Sequence, residues 1–187
     1  MSLDHWLEAV TDFERKGDWQ GLEHFCKSKL DTDPEYVHAL YPLGLALFKQ
    51  GHYVAAMRFL GRSAREAPTP QAWFTLAHAQ HKVDRTKNAI ESITKAIELD
   101  PEQHELWHDL GTFLTNIPDY KAALKAFNKA HSLDPKNIAT LRNIGFMYAT
   151  SAYPDGVRLV KDKMAAISIE EADRFFAEAR KTMKDMK

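Results

Sequence analysis

The stretch HELWHDLGTFLTNIPDYKAALKAFNKAHSLDPKN, residues 104–137, reads as two amphipathic helical runs joined by a turn. Trp107, Leu110, Gly111 and Leu114 recur at helical spacing on the first run, and Ala123, Phe127 and Ala130 on the second, with Pro135 just beyond it. Small residues at Gly111 and Ala123 let two helix backbones approach, and the aromatics fill the space beside them. One such hairpin cannot bury its own apolar face, so it needs neighbours of the same kind.

Those neighbours are in the chain. Pro34, Pro68, Pro101 and Pro135 recur at steps of 34, 33 and 34 residues, three of them preceded by Asp33, Asp100 and Asp134. Asp followed by Pro suggests a helix start, with the Asp side chain capping free amides and Pro at the first helical position. Moving the frame back gives Trp73, Leu76, Ala77, Ala89, Ile93 and Ala96, and before that Leu40, Leu43, Gly44, Ala56, Leu60 and Ser63. The first unit is weaker, built on Trp6, Val10, Phe13, Leu22 and Cys26, and a degenerate fifth unit follows from Leu141, Ile144, Gly145 and Tyr148. Ser168 and Glu171 then have capping-box spacing ahead of Ala172, Phe175, Phe176, Ala179 and Met183, which predicts a terminal helix. Pro42 is harmless only if its helix starts near Val37 or His38, which places it in the first turn.

This pattern resembles the tetratricopeptide repeat: an aromatic, a Leu-Gly pair and a Tyr or apolar residue, then Ala, Phe, Ala and Pro. The resemblance implies an all-α, right-handed superhelical solenoid of antiparallel helix pairs. It covers the chain as one domain, 1–187, with units at 3–36, 37–69, 70–103, 104–137 and a degenerate 138–167, and a capping helix at 168–187. It also implies a scaffold or adaptor, not an enzyme, that holds a protein or peptide on its first helices. The positions so marked are Tyr41, Leu45, Phe48, Phe74, His78, His81, His108, Thr112, Thr115, Arg142 and Phe146. Arg142 is expected to take a carboxylate from the partner. The opposing expectation is that the aromatics pack between helices.

Two specialisations of the family are missing. The chaperone-tail carboxylate clamp would need Lys, Asn and Arg where the chain has, from unit two, Tyr41, Leu45, Thr75, Glu105 and Asp109. An asparagine ladder, as in sugar-transferase repeat domains, meets only Asn143.

His104-Glu105-Leu106-Trp107-His108 matches H-E-x-x-H, a zinc-protease signature, but the repeat already accounts for these positions and Leu114 stands where a third histidine would fall. The expectation is therefore no catalytic residue, no metal and no cofactor, with zinc at His104 and His108 as a remote alternative. Twenty-five basic against twenty-six acidic residues give a net charge of -1, which argues against nucleic acid as a partner. Cys26 alone cannot form an internal disulfide, and neither a leader-like start nor an apolar span is read, so a cytoplasmic protein without membrane insertion is expected. Self-assembly through an end or the outer face, where Lys121, Lys125 and Lys129 recur every fourth residue, is the structural alternative.

Overall fold

In the computed structural model the described residues are 2–117, 120–151 and 153–185; the last two residues of the expected terminal helix lie outside them. They form helices α1 (Leu3–Lys16), α2 (Trp19–Thr32), α3 (Leu40–Lys49), α4 (Tyr53–Glu66), α5 (Pro70–His81), α6 (Thr86–Leu99), α7 (His104–Thr115), α8 (Tyr120–Leu133), α9 (Ile138–Thr150), α10 (Pro154–Ala165) and α11 (Ile169–Asp185). No strand occurs among the described residues. Helices α1 and α2, α3 and α4, α5 and α6, α7 and α8, and α9 and α10 pair as hairpins. The chain forms two compact units, Met1–Asp100 and Pro101–Lys187.

Inside each hairpin a small residue lets a large one in. A Cβ added to Gly44 on α3 would lie 2.6 Å from the Leu60 side chain of α4, and one added to Gly111 on α7 would lie 2.7 Å from the ring of Phe127 on α8. The fifth pair departs from this. The residue sixteen beyond Gly145 is Lys161, and the ring of Phe175, from α11, fills the notch over Gly145 instead. Helix α11 thus packs on both α9 and α10, burying Ala172, Phe175 and Ala179, while Phe176 and Met183 are half-buried. Ser168 Oγ accepts from the Glu171 amide at 3.3 Å, the N-terminal half of the expected capping box. The outer side of α11 is charged, with Asp173, Arg174, Arg180 and Lys181 exposed.

The turns show a regularity of their own. Gly17 (φ 67°), Gly51 (φ 81°) and Asp84 (φ 59°) occupy the left-handed region at the same place in three successive hairpins, a conformation that glycine adopts without steric cost. The turns between units correct the reading of Asp-Pro. Asp33 and Asp100 are not N-caps: they close α2 and α6, at φ -146°, ψ 83° and φ -146°, ψ 89°, and Ala67 closes α4 in the same way. The proline ring clashes with an α-helical residue before it, so each proline stops the preceding helix and does not start the next. Pro70 and Pro154 do stand at helix starts. Pro42 falls in the first turn of α3, after a short 3-10 turn over Val37–Ala39, as the later start requires.

Trp107 also differs from expectation. It is half-buried, its indole Nε1 donating to the Pro101 carbonyl at 2.8 Å, and the full burial in unit 2 falls on Leu106, Phe113, Phe127 and Phe175. Cys26 is buried as expected, and desolvation pushes its thiol up to about 12.

Urea unfolding should therefore show Phe127→Ala costing roughly 3–5 kcal/mol, with Trp107→Ala well below it. Gly111→Ala should cost about 1–3 kcal/mol, because the ring of Phe127 has to move. Cys26 should resist aromatic disulfide reagents in the native protein and react at an ordinary rate in denaturant; fast native labelling would contradict its burial.

Candidate functional site: the first-helix faces

The marked positions lie on α3, α5, α7 and α9, and ten of them, from Tyr41 to Phe146, are half-buried, while Thr115 is exposed. Helical geometry explains this. Residues on the shoulder of an amphipathic helix lie between its core stripe and its solvated face.

In unit 1, Tyr41 and Phe48 rest against the core formed by Leu43, Leu47 and Leu76. Burial raises the Tyr41 phenol above its ordinary value. Phe48 sets its ring 5.5 Å from that of Tyr53. Phe74 sets its ring against His78 one turn on, centroids 4.6 Å apart. Leu45 and His81 complete this face.

In unit 2, Thr112, Thr115 and Phe146 come together with Asn143, Met147 and Thr150 around a cleft of about 140 Å³, with Phe127 beneath it. Each threonine hydroxyl donates to a carbonyl of its own helix: Thr112 to His108, Thr115 to Thr112, and Thr150 to Phe146. Their oxygens therefore face outward only as acceptors. The Asn143 amide makes no hydrogen bond among the described residues, so its donor and acceptor are both available at the cleft. The sequence marked Asn143 only as the one match to an asparagine ladder; nothing in it distinguished Met147 or Thr150.

Arg142 is not open to a partner's carboxylate as expected. Its guanidinium is held by Glu178 at 2.5 Å and faces Glu171 at 3.8 Å, both from α11, and it lies over the Phe146 ring. Phe146 in turn meets Phe175 edge-on at 5.6 Å. The terminal helix thus covers the end of this face.

The two histidines of the H-E-x-x-H stretch are also engaged. His104 Nε2 accepts from the Asn137 side-chain amide at 3.2 Å, and His108 Nδ1 lies 2.8 Å from the Thr140 hydroxyl, which donates to Asn137 Oδ1. Asn137 is the N-cap of α9, so the pair fastens α7 to the start of α9. Among the described residues no three His, Cys, Asp or Glu side chains gather as a metal would require.

Comparison with known proteins agrees with this architecture. The profile of anaphase-promoting complex, cyclosome, subunit 3 matches residues 17–96, and that of the tetratricopeptide repeat matches 104–137. Human Superkiller complex protein 3 is 27% identical over 108 residues, 58% of this chain and 7% of that protein. FlbA of Caulobacter vibrioides is 26% identical over 142 residues, 75% of this chain and 24% of the relative. The chain therefore spans less than a quarter of the length of these relatives. Among solved structures, MamA superposes with a TM-score of 0.75 at 22% identity, over 100% of this chain and 97% of that one. YrrB, described as a TPR protein with an unusual peptide-binding site, gives 0.80 at 20% identity, over 92% and 88%. Residues 104–137 thus match the tetratricopeptide repeat, and the chain shares the fold of tetratricopeptide-repeat proteins.

Burial holds the His108 imidazole below its ordinary value, against the charge of Asp109 and with a contribution from His104. His131 is lowered for the same first reason, with Lys163 adding to it. Both favour the neutral form in the fold, so the unfolded chain takes up protons first as pH falls through the ordinary histidine value of 6.5. Stability should be flat above neutrality and fall from about pH 7 toward about pH 5, and His108→Gln should flatten part of that slope. Urea midpoints across this range check it; an unchanged slope in the variant would show that His108 does not contribute.

Proposed function

We propose that the chain is a protein-interaction scaffold that holds an extended segment of a partner on the first-helix face of unit 2. What carries the proposal is the α7–α9 cleft: an apolar floor of Phe127 and Met147, a rim of threonine oxygens, and the unengaged Asn143 amide. A side-chain amide offers one donor and one acceptor, which matches the peptide unit of a chain lying across it. The floor takes an apolar side chain of that segment.

The segment is uncharged where it meets unit 2, because the cation of that face, Arg142, is already paired within the chain. Support comes from relatives whose names place them in assemblies, the Superkiller complex protein and the auxiliary subunit of an N-terminal acetyltransferase complex. The peptide-binding site ascribed to YrrB, a protein of the same fold, supports it as well. A binding role without catalysis suits the chemistry found: the Cys26 thiol is held far above neutrality, and the paired histidines are tied to Asn137 and Thr140. Its setting on this proposal is the cytoplasm.

Panning a peptide-display library over the full chain and over Asn143→Ala and Phe146→Ala tests the site, with circular dichroism and urea midpoints confirming that the variants fold. Peptides enriched by the wild type should lose at least about tenfold in affinity to Asn143→Ala, the effect of removing a buried two-point amide contact. Equal enrichment by the folded variants would remove the cleft as the binding site.

A further inference from the structure

An aromatic concavity lies away from the α7–α9 cleft. In unit 1 a pocket of about 250 Å³ is lined by Trp6 of α1, Phe25, Ser28, Lys29 and Thr32 of α2, and Tyr36 in the turn ahead of α3. Its walls are three packed rings. Trp6 stacks on Phe25 with centroids 4.4 Å apart and 17° between planes, and meets Tyr36 edge-on at 5.2 Å.

Three of its polar groups are donors. Trp6 is only 2% exposed, and among the described residues its indole Nε1–H has no acceptor. Lys29 holds its ammonium 4.4 Å over the Tyr36 ring, where Asp33, which is not part of the lining, reaches it at 3.2 Å. The Ser28 hydroxyl makes no hydrogen bond among the described residues, whereas the Thr32 hydroxyl donates to the Lys29 carbonyl at 2.9 Å. No carboxylate lines the pocket.

A buried indole N–H without an acceptor is uncommon, because desolvating a donor without pairing it is unfavourable. The Lys29 ammonium and the Ser28 hydroxyl ask for an anionic acceptor on the occupant, and the rings for an apolar group attached to it. The volume is below that of ordinary ligand pockets, so the occupant is small. We infer that the Trp6–Phe25–Tyr36 pocket binds a small apolar group carrying a carboxylate, either the terminal residue of a polypeptide or a free organic acid. The carboxylate replaces Asp33 at Lys29 and accepts from Ser28, while the apolar group lies against the Trp6, Phe25 and Tyr36 rings, where it shifts the Trp6 indole signal.

The test is titration of the isotope-labelled full chain, following the indole N–H resonances, with the Trp6 signal assigned by its loss in Trp6→Phe. N-acetylphenylalanine stands for a chain terminus and hydrocinnamate for a free acid, with the carboxamide of each as control. Either acid should move the Trp6 indole signal, and its carboxamide should bind at least about tenfold more weakly. Movement by N-acetylphenylalanine alone identifies a chain terminus, and movement by hydrocinnamate alone a free acid. Lys29→Met, on a partly exposed side chain, should reduce the acid to the level of its carboxamide while leaving the other indole signals in place. Equal binding of acid and carboxamide, or no movement of the Trp6 signal at millimolar ligand, overturns the inference. Because the pocket shares no residue with the α7–α9 cleft, failure here leaves the proposed scaffold role standing, and the converse also holds.

Discussion

The hairpins α3–α4 and α7–α8 depend on how closely two helix backbones can approach, and a small residue facing a bulky one sets that distance. Gly44 admits Leu60 and Gly111 admits Phe127, each across a gap that a single methyl group would close. With the axes this close, the alanines at 56, 89, 123 and 130 are sealed without leaving voids, and the core becomes a row of small contacts in series. The shoulders of the first helices are then left at the surface with aromatic, hydroxyl and imidazole groups on them. That face is thus a by-product of the packing.

Much of this was legible in the sequence, because the determinants are local. Helical periodicity and a small residue sixteen positions before a large one lie within a single repeat, which is why the helix pairs and the terminal helix could be read from it, whereas α3 begins at Leu40, after the short turn over Val37–Ala39. Asp-Pro was misread because proline restricts the residue before it more than it organises the one after. Trp107 was misread because spacing reports which side of a helix a residue occupies, not how far its ring is covered. The partners of Arg142 were not legible either: Glu178 is thirty-six positions away, and its sequence neighbourhood reads as an ordinary solvated helix. As for the candidate site, the positions could be marked but their openness could not, since that depends on which neighbours turn toward them.

The H-E-x-x-H stretch illustrates how one pattern can serve two chemistries. Histidines one turn apart can converge on a metal only if their free nitrogens point at a common centre. Here one ring nitrogen of each is committed to a different residue of the α9 start, His104 to Asn137 and His108 to Thr140. The motif has become a polar fastening between two helices, and its contribution is to orientation within unit 2.

Each helix touches chiefly the one beside it in the chain, and the return of α11 to α9 spans only the length of α10. Bringing such near neighbours together loses little loop entropy, so assembly needs no early long-distance encounter. The same arrangement has a mechanical side. Under tension the same force passes through each pair in turn, so the structure yields hairpin by hairpin and not all at once. A scaffold of this kind can lengthen under strain while the remaining pairs stay intact, and it can recoil by the same local steps.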